Sequence, residues 1–147
     1  MRLAAKRGFL VILIIPLFLV GCISLEPFGR TLLKARIPDD FTASGAGWGS
    51  HYGTQFSGRA TSSGEPYQEG YYTAAHPTLP MGTIVLVRRA ATGRYVFVRI
   101  NDRGPFVAGR VIDLSHAAAA KVGLLAAGIG RVELFVIPPQ HPLIAHL

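Results

Sequence analysis

The stretches TIVLVRR (83–89) and RYVFVRI (94–100) both alternate apolar and polar residues, and only AATG separates them. Alternation at a period of two gives a strand one buried face and one outward face. A four-residue connection ending in Gly93, suited to positive φ, returns the second strand antiparallel to the first. A hairpin with one apolar face must bury it against more sheet. The rest of the sequence supplies that sheet: RVIDL (110–114) is a further short strand, and GRVELFVI (130–137) is a closing strand stopped by PPQHP. Between them SHAAAAKVG reads as a short helix, with Ser115 as N-cap and Gly123 as the residue past its C-terminus. Short strands, Gly-rich turns and one small helix predict an all-β fold closed as a compact barrel.

The 147 residues accommodate one such domain and a leader. MRLAAKRGFLVILIIPLFLVGC begins with Arg2, Lys6 and Arg7, runs apolar from Gly8 to Val20, and ends in Gly21 before Cys22. This is the pattern of a secretory signal, and the apolar run is short for a spanning helix. Leu19-Val20-Gly21-Cys22 is similar to the lipobox of bacterial lipoproteins, in which the Cys is lipidated and becomes the new N-terminus. An ordinary signal or an uncleaved anchor are the alternatives. The expected organisation is a signal peptide over 1–21, a lipid-anchored tether over 22–44 with a short helix at GRTLLKAR, a folded domain over 45–137 and a tail over 138–147. Cys22 is the only cysteine, so its lipidation leaves no disulfide, cysteine nucleophile or thiolate metal site. No His-x-x-x-His pair or carboxylate cluster points to a metal, and no phosphate loop or cofactor motif is present. The formal charge is +7. In an exported lipoprotein that surplus fits an anionic envelope surface or polymer better than nucleic acid.

Asp102 is one of only eight acidic residues. By alternation Val96, Val98, Ile100 and Asp102 share a face, so the carboxyl stands at the mouth of an apolar surface, where Gly104-Pro105 ends the strand. Partial desolvation there raises a carboxyl pKa and suits a general acid. The alternative is an Asp that caps the Arg103-Gly104 turn. Two other isolated titratable groups stand on constrained backbone: Glu65 between Gly64 and Pro66, and His76 before Pro77. Each is equally readable as a solvated loop residue. Asp113 is the competing acid, read as structural and bracing the start of the helix. His51 and His116 are read as surface residues.

Taken in order, GWGSHYG, FSGRATSSGEPY, YTAAHPTLPMGTIVLV, VRINDRGPF, RVIDLSHAAAAKVG and GIGRVELFVI resemble the rare lipoprotein A (RlpA-like) family over roughly residues 45–137. The resemblance implies a six-stranded double-psi β-barrel with one or two short helices, in an envelope lipoprotein on the periplasmic face, leaning to the outer membrane. It implies an endolytic lytic transglycosylase that cleaves MurNAc–GlcNAc bonds in peptidoglycan glycan strands and leaves 1,6-anhydromuramoyl ends. It assigns Asp102 as catalytic acid, with Glu65 and His76 as active-site partners. Tyr52, Tyr67 and Tyr72, with Asn101 and Arg103 beside the acid, become candidate substrate-binding residues. Envelope or divisome proteins are further candidate partners. A non-catalytic polysaccharide-binding barrel of the expansin kind is the rival reading. Many members also carry a C-terminal peptidoglycan-binding SPOR domain; this sequence ends at Leu147, so septal recruitment by that route is not expected.

Overall fold

A computed structural model describes residues 37–146. The expected signal peptide, Cys22 and the short helix at 29–36 lie outside the described residues. Six strands are present: β1 (Thr42–His51), β2 (Thr73–Ala75), β3 (Ile84–Arg89), β4 (Tyr95–Asp102), β5 (Arg110–Leu114) and β6 (Gly130–Val136). They close into a barrel in the order β1-β5-β2-β4-β3-β6. β1 runs parallel to β5 and β2 parallel to β4, while the other four pairings are antiparallel. This is a six-stranded double-psi β-barrel.

The predicted hairpin is β3–β4, in register Val85↔Val98 and Val87↔Val96. These valines and Ile100 are fully or almost fully buried, in one core with Ile112, Leu114, Val132 and Leu134. The opposite face of the hairpin does not face water. Leu86 packs with Phe41 and Ile137 in a second cluster, against Phe97 and Ile144. Phe41 is buried, Thr42 already pairs with Val136, and a 3-10 turn covers Pro142–His146. The barrel therefore begins inside the segment expected as tether, and the residues expected as a tail pack on it.

A helix α1 (His116–Val122) follows β5 and packs on β4. The Ser115 hydroxyl accepts a hydrogen bond from Ala118 N at 3.2 Å, and Gly123 ends the helix at φ 76°, as the sequence predicts. Gly47 of β1 is a glycine for a steric reason. A Cβ on Gly47 would lie 2.5 Å from Val111 Cγ1 of the parallel neighbour β5. Asp113 does not brace α1 as expected. It accepts hydrogen bonds from Ser50 and Arg110 and so ties β1 to β5, because Ser115 already serves the helix N–H groups. His51 and His116 are half-buried rather than surface groups, their rings edge to face at 6.4 Å.

Candidate active site

Asp102 is the last residue of β4 and pairs with Ala75, the last residue of β2. The next residue after β2 is His76, whose N–H donates to Asp102 O at 3.2 Å. The parallel pairing of β2 and β4 thus sets the acid and the histidine side by side. The Asp102 side chain is half-buried and accepts four hydrogen bonds. Three go to Oδ1: Ser62 N at 2.8 Å, Ser62 Oγ at 2.6 Å and Arg103 N at 2.8 Å. One goes to Oδ2, from the Tyr52 hydroxyl at 2.8 Å. A carboxylate oxygen offers about two lone-pair directions, so Oδ1 is saturated and Oδ2 retains an open position.

These bonds correct the expected electrostatics. Burial pushes the Asp102 pKa up. The Ser62 hydroxyl and N–H, the Tyr52 hydroxyl and the Arg103 N–H push it down, and together they hold the carboxyl below its ordinary value. Donors aimed at the ionised form outweigh the loss of water. The capping alternative also has a basis, since the Arg103 N–H bond is the turn contact it calls for.

His76 Nδ1 accepts from Thr78 N at 3.2 Å and Leu79 N at 3.0 Å. Burial and then the Arg103 charge lower its pKa. The ring is therefore a neutral imidazole with its proton on Nε2, a donor rather than a cation. Arg103 is tied to the protein's own backbone. Its Nη1 donates to His76 O at 3.2 Å and Leu79 O at 2.7 Å, and so fixes the loop that carries the histidine.

Two of the expected sugar-binding tyrosines have other tasks. Tyr52 holds Asp102, and burial followed by that bond raises its own pKa above the ordinary phenol value. Tyr67 is only 3 % exposed; it packs on Tyr52 with ring centroids 4.8 Å apart and accepts from His116 N at 3.1 Å. Packing in a turn or core is the alternative reading of these aromatics, and Tyr67 takes that place. Tyr72 does stand in the open, 49 % exposed.

Glu65 faces away from Asp102. Arg99 Nη1 and Nη2 grip its two oxygens at 2.9 and 2.8 Å, and Asn101 Nδ2 reaches it at 3.4 Å. The Arg99 hydrogen bond is the main reason its carboxyl stays below the ordinary range. Alternation explains the split: Arg99 and Asn101 lie on one face of β4, and Ile100 and Asp102 on the other. The link between the two faces is the loop 61–65, which carries Ser62 to Asp102 at one end and Glu65 to Arg99 at the other. Sequence reading passed over Ser62, because nothing in TSSGEPY ranks one serine above the next. Arg99 was legible as the outward partner of Asn101 in the alternation, but not as the partner of Glu65.

The family described as lytic transglycolase matches residues 44–134. The chain belongs to this family. Among curated relatives in it, the endolytic peptidoglycan transglycosylase RlpA of Pasteurella multocida is 54 % identical over 96 residues, 64 % of this chain and 33 % of that protein. RlpA of Vibrio cholerae is 45 % identical over 115 residues, 78 % of this chain and 43 % of that one. The chain thus spans about a third to two fifths of the RlpA proteins it matches. Two solved structures share the fold. The Streptomyces papain inhibitor is 24 % identical with a TM-score of 0.53, covering 67 % of this chain and all of that one. An expansin of Clavibacter michiganensis is 20 % identical with a TM-score of 0.52, covering 65 % of this chain and 51 % of that one.

Proposed function

We propose that this barrel is an endolytic peptidoglycan lytic transglycosylase, with Asp102 as its acid and base. The observation that carries the reading is the Asp102 carboxylate, held by four donors with one open position on Oδ2, beside a neutral His76. A proton on Oδ2 passes to the glycosidic oxygen as the MurNAc C1–O bond breaks, and GlcNAc leaves with its hydroxyl restored. The MurNAc 6-hydroxyl then bonds to C1, and its proton returns to Oδ2. No water is consumed, so one carboxyl serves where hydrolysis commonly employs two. The free site holds Asp102 ionised, so the proton is acquired as bound glycan displaces water around Oδ2 and raises the carboxyl's pKa. His76 Nε2–H supplies a neutral donor to sugar oxygens. Tyr52 and Ser62 fix the carboxylate, and Glu65 acts on the outer face through Arg99.

The envelope is the place of this substrate, and Cys22 is the proposed lipid anchor to the periplasmic face of the membrane. The outer membrane is the preferred address because Ile23 follows the cysteine in place of Asp. The depressed Asp102 carboxyl favours one rival reading, a polysaccharide-binding barrel in which the acid only accepts sugar hydroxyls.

Digestion of purified glycan strands, read by mass spectrometry for anhydromuramoyl ends, separates the two. Asp102→Asn keeps the shape and most of the hydrogen bonds. It is expected to fold, with a modestly lower melting temperature because the donors lose an ionised partner, and to lose about 10²–10⁴-fold in rate. Wild-type protein that binds glycan and yields no anhydro ends returns the chain to the binding reading.

A further inference from the structure

The outer face of the β2–β4 pair holds two cavities, about 450 and 260 Å³, that share Tyr71, Thr73 and Arg99 in their walls. They form one depression. Glu65 and Asn101 line one end, and the loop that brings Glu65 there also carries Ser62 to Asp102; Phe97, Ile84 and Ile144 line the other. We propose that this groove is an extended subsite for the glycan strand, with Tyr71 and Tyr72 as its stacking platforms. The proposal rests on the reading of a glycan substrate and adds where sugars beyond the cleaved bond lie.

Three observations define the ligand. Tyr71 and Tyr72 are 57 % and 49 % exposed, whereas Tyr67, a few positions earlier, is buried. An exposed ring offers an apolar plane and a hydroxyl, which match the C–H face and the equatorial oxygens of a pyranose. The backbone beneath both rings is already fixed. The buried Ser115 hydroxyl donates to Tyr71 O at 2.5 Å, and Arg99 N donates to Tyr72 O at 3.0 Å. Platforms on an ordered backbone lose little entropy on binding. The third observation is the charge balance. Arg99 is the cation in the groove wall, and Glu65 grips it with two hydrogen bonds. A compensated pair offers donors and acceptors without net charge, so it selects a neutral hydroxylated ligand over an anion. The apolar end at Phe97 and Ile144 suits the methyl of an N-acetyl group. The ligand class is therefore the neutral GlcNAc residues of the strand, rather than the lactyl carboxylates of MurNAc or the carboxylates of stem peptides.

The test compares the wild type with a Tyr71→Ala, Tyr72→Ala double variant, on long peptide-free glycan strands and on a GlcNAc–MurNAc tetrasaccharide. Both rings are exposed, so an unchanged melting temperature is expected. For long strands KM should rise about tenfold with kcat unchanged, as loss of two aromatic anchors implies. The tetrasaccharide should show a much smaller change. Equal KM values for long strands in variant and wild type overturn the groove. A second measurement is independent of turnover: isotope-labelled Asp102→Asn protein titrated with the same strands should show shifts at Tyr71, Tyr72 and Arg99. Shifts confined to other surfaces overturn the groove. Groove shifts together with a wild type that makes no anhydro ends support the groove and sink only the enzyme reading.

Discussion

At the residue scale the site turns on which atoms touch Asp102. Alternation along VFVRIND placed the carboxyl correctly at the mouth of the apolar face. The same reasoning gave its pKa the wrong direction, because it counted the water lost and not the donors gained. Those donors, Ser62 and Tyr52, are 40 and 50 positions away in the chain, and no local pattern joins them to Asp102. Removing one donor reverses part of the effect. Ser62→Ala deletes the 2.6 Å hydroxyl bond and leaves the main-chain N–H in place. The carboxyl pKa should then move up toward its ordinary value, and with it the alkaline limb of kcat, since the protonated acid persists to higher pH. Carbon-detected titration of the Asp102 carboxyl reads this directly. A midpoint identical to that of the wild type would mean that the hydroxyl does not set the proton affinity.

At the scale of elements, legibility followed locality. The β3–β4 hairpin and α1 with its caps were readable because their signals lie within a few residues of each other. β2 is only Thr73–Ala75 and carries no usable period. β1, the longest strand, is so rich in glycine that its alternation is lost. Gly47 answers to β5, a partner some sixty residues away, through a parallel pairing that sequence neighbours cannot reveal. Gly47→Ala tests that account. The added methyl would meet Val111 Cγ1 at 2.5 Å, so β1 and β5 must part or Val111 must leave its rotamer. A loss of about 1–3 kcal/mol is expected from overpacking of this kind, read as a lower denaturant midpoint at constant m-value. Unchanged stability would show that Val111 yields freely at this contact.

For the molecule as a whole, the composition and strand count supported a barrel, whereas the double-psi connectivity came from the family resemblance. The position of the site relative to the chain's entry into the barrel follows from β1. With the cysteine as the lipid-bearing residue, Cys22→Ser is expected to abolish metabolic palmitate labelling and to leave a precursor that is not cut at this site. A variant that is still labelled, processed and membrane-bound as before counts against Cys22. Tyr52, which touches the acid, comes just after the far end of β1, whereas the chain enters the barrel at Thr42. Ten strand residues place the two roughly 30 Å apart. Thr42 is also the partner of Val136, so the polypeptide enters and leaves the barrel at one pole. A protein immobilised on a bead or a sensor chip through its N-terminal side would therefore present the carboxylate outward, and a fluorophore or affinity handle placed there would leave the mouth of the barrel clear.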